Sequence, residues 1–119
     1  MNWYAAKIVF MITSGKGEHI PQFDEQLRLI QASTAQHALE KARLLGAGEE
    51  DEFTNLRDEK VKWEFVDVSE LTEIKEFKDG AEILSKITEA DNSASYIYMV
   101  KQRAMNIEKR TSALSLIPA

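Results

Sequence analysis

Residues 3–12, WYAAKIVFMI, set Tyr4, Ala6, Ile8, Phe10 and Ile12 on one face of an extended chain and Trp3, Ala5, Lys7, Val9 and Met11 on the other. Both faces are largely apolar, the pattern of a central strand covered on two sides. SGKGEHIPQ (14–22), with two glycines and a proline, reads as an exposed connection. It leads to a second strand in which Phe23, Glu25, Leu27 and Leu29 alternate with Asp24, Gln26, Arg28 and Ile30, and a long-looped hairpin is the simplest reading. The period then changes from two to helical. Ala35, Ala38, Leu39, Ala42 and Leu45 form an apolar stripe, Ser33 or Thr34 supplies an N-cap oxygen, Gln36 stands in capping-box spacing from Ser33, and Gly46 is the natural stop.

The run Glu49, Glu50, Asp51, Glu52 is too charged to pack, so pairing resumes at Phe53. It turns through the polar stretch Arg57 to Lys60 and returns with Val61, Trp63 and Phe65 alternating with Lys62, Glu64 and Val66. Two further runs, Leu71 to Phe77 and Ala81 to Thr88, flank Lys78-Asp79-Gly80. Asp-Gly between alternating runs predicts another hairpin, because glycine takes positive φ without steric cost. Asp91, Asn92 or Ser93 can cap a last helix of about five turns, to Arg110. On it Ala94, Ile97, Val100 or Lys101, Ala104 and Ile107 recur at helical spacing, opposite a basic face of Lys101, Arg103, Lys109 and Arg110. That face suits an anionic membrane or an acidic partner, although cations also gather at helix C-termini for the sake of the dipole.

The expected fold is therefore α+β: an antiparallel sheet of about five or six strands built from hairpins, one amphipathic helix after strand 2 and a long C-terminal helix, in the order ββαβββα. Each helix has one apolar stripe, so the helices cover one face of the sheet. The strands Trp3 to Ile12 and Val61 to Val68 are apolar on both sides, so the second face needs either the last helix or a second copy of the chain, and a homodimer is as well supported as a monomer.

With 119 residues, 44% hydrophobic and 29% charged, the chain reads as a single domain over 1–119 with no room for a second. It divides into a sheet-plus-helix core (1–90), the C-terminal helix (91–111) and an apolar tail (112–119). A net charge of -5 argues against a nucleic-acid surface, which needs concentrated Lys and Arg. The absence of cysteine excludes a disulfide framework and a thiol nucleophile. No basic leader precedes an apolar core at the N-terminus, and no apolar run approaches the roughly 20 residues that span a bilayer. The expectation is a cytoplasmic protein that binds neither membrane nor nucleic acid.

WYAAKIVF, then FDEQLRLI, a helix of the ALEKARLLG type, an acidic patch and VKWEFVDVSEL occur here in that order. This succession resembles the domain of unknown function 4288 family, small bacterial proteins with no assigned activity, over roughly residues 1–90. The resemblance brings no functional residue with it, and the C-terminal helix lies outside it.

Candidate chemistry is sparse. His19 and His37 stand apart, one in a glycine loop and one on the first helix, and a useful zinc site needs at least three ligands. Gly15-Lys16-Gly17 lacks the Walker spacing and a following helix. Glu49 to Glu52 lacks the alternating ligands and central glycine of a calcium loop. Asp24 and Glu25 are adjacent on a strand, point to opposite faces and cannot act as a paired acid and base. No metal, cofactor or catalytic residue is assigned. The best candidate ligand or interface set is Lys7 and Trp3 on the first strand, with Tyr4 beside them, Glu25 and Arg28 on the second, and Trp63 and Glu64 on the VKWEF strand. Lys7 interrupts an apolar strand, and a charge there needs a partner such as Glu25 or a ligand anion. The plainer account is a cross-strand ion pair at the edge of a core. The sequence thus points to a non-enzymatic interaction or self-associating module that binds a protein partner or its own copy. The alternative is a small-molecule binder or small enzyme with a pocket between sheet and C-terminal helix.

Overall fold

The computed structural model describes residues 1–115, with side chains through Ala113. In chain order it comprises β1 (Asn2–Ser14), β2 (Gln22–Ala32), α1 (Ala35–Gly48), β3 (Asp51–Thr54), β4 (Lys60–Ile74) and α2 (Ser93–Ser115). Two compact units divide the chain, Met1–Ser85 with the whole sheet and α1, and Lys86–Ala119 with α2. Residues 112–115 of the expected apolar tail belong to α2, and the rest of that tail lies outside the described residues.

The sheet has four antiparallel strands in the order β2-β1-β4-β3. As its two-sided apolar pattern requires, β1 is central, pairing with β2 from Asn2↔Ala32 to Ile12↔Gln22 and with β4 from Trp3↔Ile74 to Ser14↔Val61. Two bulges in the β1–β4 ladder, between Lys7 and Ile8 and between Val9 and Phe10, leave Ser69 and Val66 unmatched, so a 15-residue β4 fits a 13-residue β1. The β3–β4 turn is closed by Asn55, whose Oδ1 accepts the amides of Arg57 and Glu59. Asp58 takes a φ of 62° within it.

Five or six strands were expected, and the order is ββαββα rather than ββαβββα. The expected hairpin of Leu71–Phe77 with Ala81–Thr88 does not form. Leu71 to Ile74 instead extend β4 along Ala6 to Trp3, where they bury against an existing strand, whereas an isolated hairpin gains little. Beyond Ile74 no β1 remains to pair with, since β1 begins at Asn2. The Lys78-Asp79-Gly80 turn itself is present, with Gly80 at φ 82° and the Ala81 amide donating to the Lys78 carbonyl across 3.1 Å.

One face of the sheet carries the core. Tyr4, Ala6, Ile8 and Phe10 of β1 and Ile30 and Ala32 of β2 are buried against Ala38 and Ala42 of α1, with Trp63, Phe65, Val68 and Leu71 of β4 packed alongside. Ala38, Ala42 and Gly46 are the buried residues of α1, and their small size lets the helix lie close to the strands, whereas Ala35, expected in the stripe, is exposed. Thr34 is the N-cap, its hydroxyl accepting the His37 amide at 3.1 Å. Gly46 does not stop the helix, which runs on to Gly48. It is buried in the last turn, where a Cβ would overlap the Phe65 ring and lie 3.1 Å from the Ile8 Cγ2.

In the second unit α2 is the one helix or strand among the described residues. Asn92 caps it, its Oδ1 accepting the Ser95 amide at 3.0 Å. No helix among the described residues is long and apolar enough to cross a membrane.

Candidate functional site

Residues paired across an antiparallel sheet share a face, so the odd positions of β1 and their partners define the face turned away from α1. It presents Trp3, Ala5, Lys7, Val9, Met11 and Thr13 of β1, Phe23, Glu25, Leu27, Leu29 and Gln31 of β2, and Lys62, Glu64, Glu70, Thr72 and Ile74 of β4. Leu27 and Leu29 are each 60% exposed, and Phe23 is exposed as well. All three lie on β2, which has a neighbour on one side only. Two exposed leucines side by side on one face of an 11-residue edge strand, with Phe23 beyond Glu25, form an apolar surface along that edge. At one end Phe77 meets Trp3 edge to face, ring centroids 6.2 Å apart.

Lys7 stands in the middle of this face. Its Nζ lies 3.9 Å from Glu25 Oε1 on one neighbouring strand and 3.8 Å from Glu70 Oε1 on the other. Both separations exceed hydrogen-bond length, so Lys7 attracts the two carboxylates without being locked to either. The other oxygen of Glu70, Oε2, is buried with no hydrogen-bond partner. Glu64, opposite Met11, and Lys62, opposite Thr13, are on the same side.

The α1 side carries a different polar system. Asp24, Gln26 and Arg28 share that face of β2. The Trp63 indole N–H donates to Asp24 Oδ2 at 3.1 Å, the Gln26 amide donates to the same oxygen at 2.7 Å, and Arg28 donates to Gln26 Oε1 at 3.0 Å. Arg28 also donates from both terminal nitrogens to Glu49, at 2.7 and 2.9 Å. This fork holds the Glu49 carboxyl below the usual carboxylate range and raises the Arg28 guanidinium in turn. Phe53 of β3 stacks on Trp63 with centroids 5.9 Å apart, and Glu50 Oε2 accepts the Phe65 amide at 3.0 Å. Asp67 is held low by the Val68 amide first and then by Arg43 of α1. The acidic run is exposed throughout, yet Glu49 and Glu50 are engaged, and Asp51 and Glu52 open β3.

The candidate residues fall on opposite sides of the sheet. Trp3, Lys7, Glu25 and Glu64 belong to the open face, whereas Tyr4, Arg28 and Trp63 lie on the α1 side, with Tyr4 in the core. Arg28 pairs with Glu49 and not with Glu25, from which it differs by an odd number of strand positions. The sequence set Asp24 and Glu49 aside as catalytic or calcium-binding residues and did not single out Gln26 or Glu70. The spacing of Asp24, Gln26 and Arg28 by two signalled a shared row, but nothing local signalled Glu49 at the far end of α1 or the bulge that sets Glu70 opposite Lys7.

Away from both faces, the 14–22 connection and the β3–β4 turn enclose an open cleft of about 960 Å³ lined by residues that include Lys16, Glu18, His19, Arg57 and Asp58. The Ser14 amide donates to His19 Nε2 at 3.0 Å, and Nδ1 lies 2.8 Å from the Ile20 carbonyl, so the imidazole secures its own loop. None of the candidate residues lines this cleft. His37 of α1 contacts Ser33, just before the helix. Among the described residues no group of three or more His, Asp or Glu side chains is arranged to hold a metal ion.

Residues 3–85 match the model of a family described as a domain of unknown function, DUF4288. No curated protein and no solved structure matches the chain.

Proposed function

Because the chain belongs to the DUF4288 family, and the matched residues take in α1 and all but the first residue of the sheet, we propose that this unit is a non-catalytic protein-interaction module whose docking surface is the open face of the sheet. The observation that carries the reading is the exposure of Leu27 and Leu29 on the edge strand beside Lys7. An apolar surface of this kind on an edge strand is the usual mark of a partner site. The occupant we infer is an apolar protein surface with basic groups at its rim. The face carries Glu25, Glu64 and Glu70 with Lys7 and Lys62, and the unit Met1–Ser85 carries 10 Lys and Arg against 17 Asp and Glu, a net charge of -7. A second acidic copy seated on the same face would be repelled, and a basic surface would be drawn to it.

A synthetic amphipathic peptide of alternating leucine and lysine serves as the probe, titrated into the full chain and followed by amide chemical shifts. The expected perturbations centre on Lys7, Leu27 and Leu29 and fade at high salt. Replacing both leucines, Leu27→Gln with Leu29→Gln, should weaken binding by about tenfold or more. Perturbations confined to the cleft of Lys16 and Arg57, or unchanged affinity in the double variant, would sink the reading.

A further inference from the structure

Along α2 the residues Ser93, Ile97, Val100, Ala104, Ile107 and Thr111 follow one another in steps of four and three. This is the spacing of a coiled-coil seam, narrower than the stripe of a helix packed on a sheet. No other helix or strand of its own unit, among the described residues, covers that seam. We propose that α2 pairs in parallel with α2 of a second copy of this chain.

The flanking charges choose the orientation. Arg103 precedes the seam residue Ala104, and Glu108 follows the seam residue Ile107. In a parallel pair in register, each residue before an a position faces the residue five further on in the partner helix, which sets Arg103 of one copy against Glu108 of the other, twice per dimer. The same rule sets Tyr96 against Lys101, a ring beside a cation. An antiparallel pair that sets Arg103 against Arg110 repels on that flank while it attracts through Lys101 and Glu108 on the other, so it lacks the net attraction of the parallel pair. The polar seam position at Thr111 is compatible with burial, because its hydroxyl already donates to the Ile107 carbonyl at 2.9 Å. Ala104 permits close approach of the helices but adds little apolar area, so the pairing is reversible and depends on concentration.

This pairing goes beyond the docking role of the sheet face and is independent of it. A dimer joined through α2 carries two sheet faces on one particle, which raises avidity for any partner that repeats its own site.

The test is light scattering of the full chain on a sizing column across a concentration series. The mass is expected to rise from 13.5 kDa toward twice that value. Ile107→Asp should hold it at the monomer value throughout, with α2 still helical by circular dichroism. Arg103→Glu alone should shift dimerisation to higher concentration, and Arg103→Glu with Glu108→Arg should restore it, an exchange that only cross-helix pairing rewards. Because the chain has no cysteine, Ser93→Cys reports direction: a parallel pair cross-links through this one position under mild oxidation. A mass fixed at 13.5 kDa at every concentration overturns the proposal. So does a dimer that survives Ile107→Asp, a charge exchange that restores nothing, or the absence of the cross-link. Leu27→Gln with Leu29→Gln should leave the dimer unchanged, which separates this proposal from the docking role of the sheet.

Discussion

Trp63 donates its indole N–H to Asp24 Oδ2 across 3.1 Å, tying β4 to the edge strand β2 over the intervening β1. The same oxygen accepts from Gln26, so one carboxylate secures two donors and continues the row to Arg28 and Glu49. Asp24→Ala leaves both donors without that acceptor in a partly buried place and should cost about 1–2 kcal/mol in urea unfolding. Asp24→Asn keeps an oxygen but loses the charge, and a smaller cost, about 0.5–1 kcal/mol, is expected. Equal losses in the two variants would mean that the charge, and not the acceptor, is what this site needs.

Gly46 sets the distance between α1 and the sheet. Its Cβ position is occupied by the Phe65 ring, which itself meets Phe10 edge to face at 6.1 Å. Alanine gains about 1 kcal/mol of helix propensity over glycine, but overpacking a held ring costs about 1–3 kcal/mol or more. With the ring fixed on both sides the clash wins, and Gly46→Ala should destabilise by about 1–2 kcal/mol. Gly48 is the control. Nothing lies within 4 Å of its Cβ position, so Gly48→Ala should be neutral or stabilising by up to about 1 kcal/mol. Thermal melts of the two single variants decide the matter, and a stable Gly46→Ala protein would show that Phe65 can turn aside.

Glu49 and Asp67 both hold their protons less tightly in the folded chain, Glu49 through Arg28 and Asp67 through the Val68 amide and Arg43. A group whose folded pKa is lowered stabilises the fold above its ordinary range, and the contribution is lost as pH falls through the lowered value. Glu49→Gln and Asp67→Asn should therefore be less stable than the parent near neutral pH, with the gap closing as the solution is acidified. Denaturant midpoints at several pH values measure it. A gap that persists at low pH would assign the effect to packing and not to charge.

How far the sequence carried this picture depends on what each signal measures. The two-faced alternation of Tyr4 to Met11 placed β1 at the centre, and the change of period at Ala35 marked α1, because both reflect burial that local spacing records. The Asp79-Gly80 turn was equally legible and formed, yet the hairpin around it did not. Turn chemistry is local, whereas strand pairing is a competition that β1 won by holding Leu71 to Ile74. Gly46 read as a stop signal because a sequence cannot distinguish a glycine that ends a helix from one that lets a ring in. The candidate set divided between two faces for a related reason: Arg28 and Trp63 stand in register with Asp24 and Glu49 only through chain segments far apart in sequence. Lys7 was conspicuous beforehand, since one charge in an apolar strand contrasts with its own neighbours.

That contrast leads to the last prediction. Lys7 is flanked at 3.9 and 3.8 Å by Glu25 and Glu70, and its side chain is 28% exposed. Coulomb attraction at these distances, in the intermediate dielectric of a half-covered sheet, offsets part of the cost of keeping Glu70 charged with one oxygen buried and unbonded. Lys7→Met adds apolar area to the face but leaves Glu70 without its cation, and the second effect should prevail by about 1 kcal/mol. Glu70→Gln removes the need for the cation, so Lys7→Met with Glu70→Gln should lie closer to the parent than the sum of the single changes, a coupling of at least about 0.5 kcal/mol. Glu25→Gln, at an exposed partner, should couple more weakly. Chemical denaturation of the four proteins in each cycle measures both couplings. Strict additivity with Glu70 would show that Lys7 is held by its neighbours' packing alone, and would leave its charge to whatever binds the open face.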